Sequence, residues 1–234
     1  MRHKCPYTQI TKVICGRDIS ISDVSSGDII LIMTKLLLFD LGNVVLTNDY
    51  PYHTPEQLKE FCKHFNVNLD NLETAFRAVF AEYSVGKITE DEFWTKYLYD
   101  SRAEEIDIPF AKDFWRKNQA EIENMLSLLG SLKKNHRIAA LTTIPNEWLE
   151  FKRVKFQLNS YFEKIISSGE YGVKKPDPKI YEIAMEQLNV DPKEVLFIDD
   201  YEIVLPPAQK LGMQTILFRG QKDLELKLKN LNLL

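Results

Sequence analysis

The sequence predicts an α/β fold in which a doubly wound parallel sheet carries an inserted block of helices, and three observations support this. The run LLLF at residues 36–39 is apolar on both faces, as expected of a central parallel strand covered by helices. Residues 50–129 place apolar side chains at three- and four-residue spacing, which is the helical period. From residue 137 onwards, strand-like and helix-like segments alternate, which is typical of a parallel sheet with crossover helices.

The inserted block contains four segments with the helical period, and no strand is expected between them. Each is predicted as one helix: TPEQLKEFCKHF, LDNLETAFRAVFAEYS, TEDEFWTKYLYD and FAKDFWRKNQAEIENMLSLLGSLKKN. Thr89 and Glu92 have the spacing of a reciprocal cap at the start of the third helix. Beyond the block, strands are predicted in RIAALTT, YFEKIISS, EVLFIDD and QTILF, and helices in PNEWLEFKRVKF, DPKIYEIAMEQL and PPAQKLG.

These patterns divide the chain into three regions. Residues 1–32 are polar, mixed and without helical period, so they are interpreted as an N-terminal extension outside the functional domain, which would begin near Met33. Residues 33–49 and 130–234 form the predicted α/β domain. Residues 50–129 form the predicted helical domain.

Composition and charge exclude several classes of protein. The 234 residues carry a net charge of -4, so there is no broad basic field and nucleic acid is not a predicted partner. The longest apolar stretch is interrupted by Lys35 and is too short to cross a bilayer. Cys5, Cys15 and Cys62 are odd in number and form no CxxC pair, which argues against a disulfide framework or a zinc site. A reducing cytoplasm is the expected location.

Polar residues end three of the predicted strands. Ligands of doubly wound sheets bind beyond the carboxyl ends of the strands, so these residues are the first candidates for a functional site. They are Asp40, Thr142, Thr143, Asp199 and Asp200.

A carboxylate at the end of a buried strand needs a positive or hydrogen-bonding partner, because its desolvation costs several kcal/mol. Lys175, in the loop GVKKPDP, is the predicted partner of Asp40. A residue that precedes proline is pushed towards an extended conformation, which lets Lys175 reach out of the loop. Lys174 is the alternative, with solvated surface charge as its ordinary role.

Four segments of the chain resemble, in order and spacing, the four motifs of the haloacid dehalogenase superfamily. FDLGNVV resembles the first motif, LTT the second, KKPDP followed by IY the third and FIDD the fourth, across residues 36–218. The resemblance implies a Rossmann-like core with a helical cap, here residues 50–129, inserted between the first two motifs. Most members of the superfamily are phosphatases.

The resemblance also implies a role for each site residue. Asp40 would be the nucleophile that forms an aspartyl phosphate, and Lys175 would stabilise the charge on Asp40 and the phosphate. Thr142 would hydrogen-bond a phosphoryl oxygen, with Thr143 beside it in the substrate site. Mg2+ would be the cofactor, held by Asp40, the carbonyl of Gly42 and Asp200, with Asp199 nearby.

Three positions depart from the usual motifs. Gly42 stands where most phosphatases of the superfamily carry a second aspartate, so a general acid-base contribution of roughly 10^2 to 10^4 in rate is missing from its usual place. Val204 stands where an Asn or Asp usually contacts the metal through water, and Thr143 stands where many relatives have Asn.

The expected function is Mg2+-dependent hydrolysis of a small phosphorylated metabolite, with a sugar phosphate suggested by analogy. Two alternatives stay open: a metal-independent 2-haloacid dehalogenase, with which Gly42 is compatible, and a binding protein that kept the fold after losing turnover. The acid pair Asp199 and Asp200 argues against the dehalogenase, because two carboxylates would repel its anionic substrate.

The chain enters the helical domain at Tyr50, Tyr52 and His53, which are candidates for lining a pocket. Aromatic residues at such a junction more commonly pack in the core.

Overall fold

The structure is a computed structural model that describes residues 13–14, 17–18 and 34–234. The two short strands β1 (Val13–Ile14) and β2 (Arg17–Asp18) pair antiparallel. The rest of the predicted extension 1–32, and the domain start predicted near Met33, lie outside the described residues.

Five parallel strands form the main sheet, in the spatial order β5-β4-β3-β6-β7. They are β3 (Leu36–Phe39), β4 (Arg137–Thr142), β5 (Ile165–Ser167), β6 (Val195–Asp199) and β7 (Gln214–Leu217). The central strand is β3, which pairs with β4 on one side and β6 on the other. This order confirms the predicted doubly wound sheet, because the chain crosses from one side of β3 to the other.

Five helices lie between β3 and β4: α1 (Pro55–Phe65), α2 (Leu69–Tyr83), α3 (Glu90–Asp100), α4 (Ile108–Asn118) and α5 (Met125–Leu132). Thr89 and Glu92 form the predicted reciprocal cap of α3. Residues 54–57 form a second reciprocal cap, at the start of α1.

The prediction of one continuous helix from Phe110 to the start of β4 was wrong, because residues 119–124 separate α4 from α5. The backbone of this segment pairs with the segment that leaves β3. Thr47 donates its N–H to the carbonyl of Ala120 at 2.8 Å, and Ile122 donates its N–H to the carbonyl of Val45 at 3.0 Å. Backbone groups used in this pairing are not available to a helix.

The remaining helices flank the sheet and follow the predicted alternation. They are α6 (Asn146–Phe156), α7 (Ser168–Tyr171), α8 (Pro178–Leu188), α9 (Leu205–Leu211) and α10 (Gln221–Asn230). The sequence did not predict α7 or α10. Among the described helices, none has the length and apolarity to span a membrane.

The sheet separates two hydrophobic clusters, and successive residues of β3 alternate between them. The cluster that contains Leu37 and Phe39 continues into the inserted helices. There Trp148 of α6 stacks on Trp115 of α4, with ring centroids 4.3 Å apart. The inserted helices and the sheet therefore share one continuous core, to which α6 contributes.

Candidate active site

The carboxyl ends of β3 and β6 place three carboxylates next to one another. Asp40 follows β3 and donates its backbone N–H to the carbonyl of Ile198 on β6, at 2.9 Å. Asp199 is the last residue of β6 and Asp200 follows it. One oxygen from each of these three carboxylates lies within 4.8 Å of the other two. Strand pairing thus brings residues that are far apart in sequence together in one acidic cluster.

The buried ammonium group of Lys175 bridges two of these carboxylates. Its Nζ lies 2.8 Å from Asp40 Oδ1 and 2.6 Å from Asp199 Oδ2, and its side chain is 5% exposed. The other oxygen of Asp199 accepts a hydrogen bond from the backbone N–H of Tyr201 at 2.8 Å. Both oxygens of Asp199 are therefore bound by protein groups, whereas within residues 34–234 no hydrogen bond or ion pair involves Asp40 Oδ2.

The crowding of negative charge changes the acidity of the cluster. Burial lowers the pKa of Lys175, but Asp40 and Asp199 together raise that pKa above its usual value. Burial and the charge of Asp40 raise the pKa of Asp199, although Lys175 opposes this. Burial and Asp40 also raise the pKa of Asp200. Three carboxylates with one lysine thus leave an excess of negative charge that a bound cation would stabilise.

A cavity of about 340 Å3 opens at this end of the sheet. Its lining contains every residue that the sequence predicted for catalysis, substrate binding or metal binding, together with Lys174, Tyr201 and Val204. The full lining is Asp40, Gly42, Thr142, Thr143, Lys174, Lys175, Asp199, Asp200, Tyr201 and Val204. Tyr201 was not predicted as a site residue, and its only signal in the sequence is that it follows Asp200. Lys174 was the alternative to Lys175 in the sequence, and it lines the cavity as well.

Gly42 leaves space beside the nucleophile candidate. A Cβ atom added to Gly42 would lie 3.8 Å from the Cα of Asn48 and 4.0 Å from Asp40 Oδ2, which are ordinary van der Waals distances. The position therefore has room for a side chain. Crowded packing does not explain why a carboxylate is absent from it.

The aromatic residues where the chain enters the helices do not line this cavity. Tyr50 stacks on Phe76 with ring centroids 4.2 Å apart, and Tyr52 packs against Phe61 at 5.9 Å. His53 Nε2 lies 3.5 Å from the amide nitrogen of Gln119. These residues pack the junction between the helices and the sheet.

The haloacid dehalogenase-like hydrolase family matches residues 28–218, which is most of the chain. The chain belongs to this family. The matched residues include the parallel sheet, the cluster of three carboxylates and Lys175.

Several curated proteins are similar to this chain. The D-ribitol-5-phosphate phosphatase of Bacteroides thetaiotaomicron is 28% identical over 78% of this chain and 91% of its own length. The chloroplast flavin mononucleotide hydrolase 1 of Arabidopsis thaliana is 28% identical over 89% of this chain and 83% of its own length. Drimenol cyclase drtB of Aspergillus calidoustus is 25% identical over 85% of this chain, which spans only 37% of that longer protein.

Among solved structures, one similar fold is a family enzyme from Bacteroides thetaiotaomicron in complex with magnesium and inorganic phosphate. It superposes with a TM-score of 0.67 at 26% identity, over 80% of this chain and 95% of that one. The similarity therefore extends over nearly the whole of that enzyme.

Proposed function

We propose that the protein is a Mg2+-dependent phosphatase that hydrolyses a small phosphomonoester through an aspartyl phosphate on Asp40. The observation that carries this proposal is the cluster of Asp40, Asp199 and Asp200 bridged by buried Lys175. Relatives named as phosphatases of ribitol phosphate and of flavin mononucleotide support the reaction class.

The donor set fits magnesium. All the available ligands are oxygens, and hard Mg2+ prefers carboxylate and carbonyl oxygens to nitrogen or sulfur. Asp40, Asp200 and the carbonyl of Gly42 would hold the ion, while Asp199 remains bound to Lys175 and to the backbone of residue 201. The ion would neutralise the repulsion between the attacking carboxylate and the phosphate dianion. The magnesium and phosphate complex of the similar enzyme supports this assignment.

Each protein group has a definite part in the two steps. A carboxylate oxygen of Asp40 attacks phosphorus, and the bond to the leaving oxygen breaks with its electron pair passing to that oxygen. Water then attacks the aspartyl phosphate, which releases inorganic phosphate and restores the carboxylate. The ammonium of Lys175 holds the other oxygen of Asp40 at 2.8 Å and so orients the nucleophile. Thr142 and Thr143 donate hydrogen bonds to phosphoryl oxygens.

The substrate we propose is a small phosphomonoester such as a sugar phosphate, which the cavity of about 340 Å3 accommodates. Residues 50–129 would act as the cap that selects the leaving group, over an α/β core of residues 33–49 and 130–234. Residues 1–32 would be an extension outside this unit. Gly42 has no side chain that could supply a proton to the leaving group. Esters whose leaving group is stable without a proton should therefore be hydrolysed faster than esters whose leaving group needs one.

A second candidate is a binding protein of the same fold with little turnover. Gly42 and the buried Val204 in the cavity lining favour it, because each replaces a polar group of the usual motifs by an apolar one. The metal-independent dehalogenase is disfavoured, since the acidic cluster would repel a haloacid anion in the absence of a cation.

The test is phosphate release from a panel of phosphomonoesters, with and without Mg2+. Wild-type protein is compared with Asp40→Asn and with Asp113→Asn, which changes an exposed carboxylate on α4. The proposal expects release that requires both Mg2+ and Asp40, and that Asp113→Asn retains. Halide release from 2-haloacids without metal would favour the dehalogenase. A folded protein that binds phosphate esters but releases none would favour the binding protein.

A further inference from the structure

One residue of the cavity lining is aromatic and has no part in the proposed reaction. Tyr201 directly follows Asp200, lines the cavity and is 63% exposed. Within residues 34–234 no other aromatic side chain lines the cavity, no ring stacks on Tyr201, and its hydroxyl has no hydrogen-bond partner. The ring is therefore free to contact a ligand that enters the cavity.

The backbone that carries this ring is fixed at its N–H and at its carbonyl. The N–H of Tyr201 donates to Asp199 Oδ1 at 2.8 Å, and its carbonyl accepts a hydrogen bond from the N–H of Val204 at 3.1 Å. The carbonyl of Val204 accepts a hydrogen bond from the hydroxyl of Tyr181, a buried residue of α8, at 2.7 Å. An aromatic side chain on an anchored backbone has only two torsions to fix, so little conformational entropy is lost when it packs against a ligand.

Most of the remaining lining is used by the phosphate and the metal in the proposed reaction. The carboxylates and the carbonyl of Gly42 would hold the ion, and the two threonines with Lys175 would bind the phosphate. Lys174, Tyr201 and Val204 are then left for the leaving group. Val204 is only 3% exposed, so Tyr201 supplies the accessible apolar surface of the cavity.

An aromatic side chain in this place favours one kind of leaving group. A planar ring stacks on an aromatic side chain through the apolar area that the contact buries and through the complementary charge distribution of the two rings. An open-chain alcohol has no flat face that could make the same contact. Stacking of a planar ring on an aromatic side chain is typically worth about tenfold in affinity.

We infer that Tyr201 is a specificity-determining residue, whose ring stacks on a planar ring in the leaving group of the substrate. The inference rests on the proposed phosphatase reaction at Asp40 and narrows its substrate to phosphomonoesters whose leaving group carries an aromatic or heteroaromatic ring. In the described chain, every lining residue lies outside residues 50–129. The contact would therefore select the leaving group without help from the inserted helices.

The test compares three esters of primary alcohols: 2-phenylethyl phosphate, 2-cyclohexylethyl phosphate and ethyl phosphate. Because their leaving oxygens are chemically alike, differences in rate report on contacts with the rest of the leaving group. We expect kcat/KM to be about tenfold higher for the phenyl ester than for the ethyl ester. The difference should lie in KM, because stacking acts equally on the bound substrate and the transition state. The cyclohexyl ester buries a similar apolar area without a planar ring and should lie between the two.

Three variants assign the preference to the ring of residue 201. Tyr201→Ala should reduce the ratio of kcat/KM between the phenyl and ethyl esters about tenfold, whereas Tyr201→Phe keeps the ring and should keep the ratio. Tyr99→Ala is the matched control. It removes an aromatic side chain of α3 that is 76% exposed and lies outside the cavity lining, so it should keep the ratio as well.

Several outcomes would overturn the inference and leave the phosphatase intact. Equal losses on all three esters in Tyr201→Ala would show that residue 201 acts through Asp199 or the shared phosphate. Loss of the ratio in Tyr201→Phe would assign the effect to the hydroxyl and not to the ring. A wild-type protein that prefers the cyclohexyl ester as strongly as the phenyl ester, or that prefers neither, would show that stacking does not occur.

The proposed function can fail separately. If no ester is hydrolysed, the phosphatase reaction is wrong, and calorimetric binding of 2-phenylethyl phosphate and ethyl phosphate in Mg2+ then decides the inference. Tighter binding of the phenyl ester that Tyr201→Ala abolishes would support it. Equal binding of the two esters would overturn it.

Discussion

Lys152 Nζ lies 2.7 Å from Asp49 Oδ1, and the two side chains are only 1% and 13% exposed. Lys152 belongs to α6, the helix that follows Thr142 and Thr143, whereas Asp49 lies on the segment that leads into the inserted helices. The ion pair therefore joins the helix beside the candidate active site to the start of the insertion.

The returning segment is held by the same helix. Lys155, one turn after Lys152, donates hydrogen bonds to the carbonyl of Gln119 at 2.7 Å and to the carbonyl of Arg116 at 3.0 Å. The ammonium of Lys152 also donates to the carbonyl of Thr47 at 3.2 Å. Two lysines on one face of α6 thus fix both connections between the sheet and the inserted helices.

We expect Lys152→Met to lower the free energy of unfolding by about 3–5 kcal/mol, because it leaves the carboxylate of Asp49 buried and unpaired. The loss should be smaller at pH 5 than at pH 8, since an unpaired buried carboxyl is better tolerated as the neutral acid. Urea denaturation measures both values. The double variant Lys152→Met/Asp49→Asn should recover part of the loss, and a loss below about 1 kcal/mol for Lys152→Met alone would contradict the assignment.

Two glycines should respond to alanine in opposite directions. A Cβ on Gly169 would lie 2.8 Å from the backbone nitrogen of Asn146 and 3.0 Å from the carbonyl of Ile144. Gly169→Ala should therefore destabilise the fold by about 1–3 kcal/mol, because the backbone must move. Gly130 lies in α5, where a Cβ meets only a ring carbon of Tyr161 at 3.8 Å. Gly130→Ala should stabilise by about 0.5–1 kcal/mol. Thermal denaturation of both variants decides, and a shift of the same sign in both would be inconsistent with these contacts.

The sequence predicted the sheet well because the central strands β3, β4 and β6 are buried over most of their length and are followed by, or end in, polar residues. Asp40, Thr142 and Asp199 could be placed at one edge because parallel strands share the direction of their carboxyl ends. The break at residues 119–124 could not be predicted, because its cause is pairing with residues 45–47, more than 70 positions away. Helical period is a local property and carries no information on such pairing.

Lys152 and Lys174 show a similar limit for side chains. A lysine within an amphipathic helix or a charged loop is typically solvated, so the sequence gives no reason to bury it. Burial of Lys152 requires Asp49 and the ring of Trp115, both of which lie in other segments of the chain. The positions of the polar strand ends, and of Lys175 beside them, were therefore predictable, whereas the burial of Lys152 depends on tertiary contacts.

His53 should make the protein sensitive to mild acid. Burial, together with the charge of Lys152, lowers the pKa of His53 to about 4, below the usual value of 6.5. Between these two pH values the unfolded chain binds more protons than the folded one, so stability is lost as pH falls. Allowing for partial exposure, the loss should be about 1–2 kcal/mol between pH 7 and pH 4.

The comparison with His53→Gln isolates this contribution, because glutamine keeps a polar group near Gln119 but does not titrate. Urea midpoints at several pH values measure it for both proteins. The other acidic groups titrate equally in the wild-type protein and in His53→Gln. The difference between their two plots of urea midpoint against pH is therefore due to residue 53. Parallel curves from pH 7 to pH 4 would show that His53 is as basic in the folded protein as in the unfolded chain.

Gly42→Asp should increase the rate with poor leaving groups more than with good ones. The backbone of Gly42 does not have a positive φ, and a Cβ there meets its neighbours at 3.8 Å and 4.0 Å, so an aspartate enters without a clash at that atom. An acid at this position can protonate the leaving oxygen. General acid catalysis of this kind contributes about 10^2 in rate. A sugar phosphate should gain by about that factor, whereas an aryl phosphate with an acidic phenol should gain much less, because its leaving oxygen needs no proton.

The matched control is Gly42→Asn, which has the same shape but transfers no proton at neutral pH. If both variants raise the rate equally, the gain comes from filling space beside Asp40 and not from acid catalysis. If Gly42→Asp slows both substrates, the fourth carboxylate has strengthened the repulsion of the phosphate that three carboxylates already exert. Only a gain that depends on the leaving group and on the carboxyl supports the view that proton transfer limits the wild-type reaction.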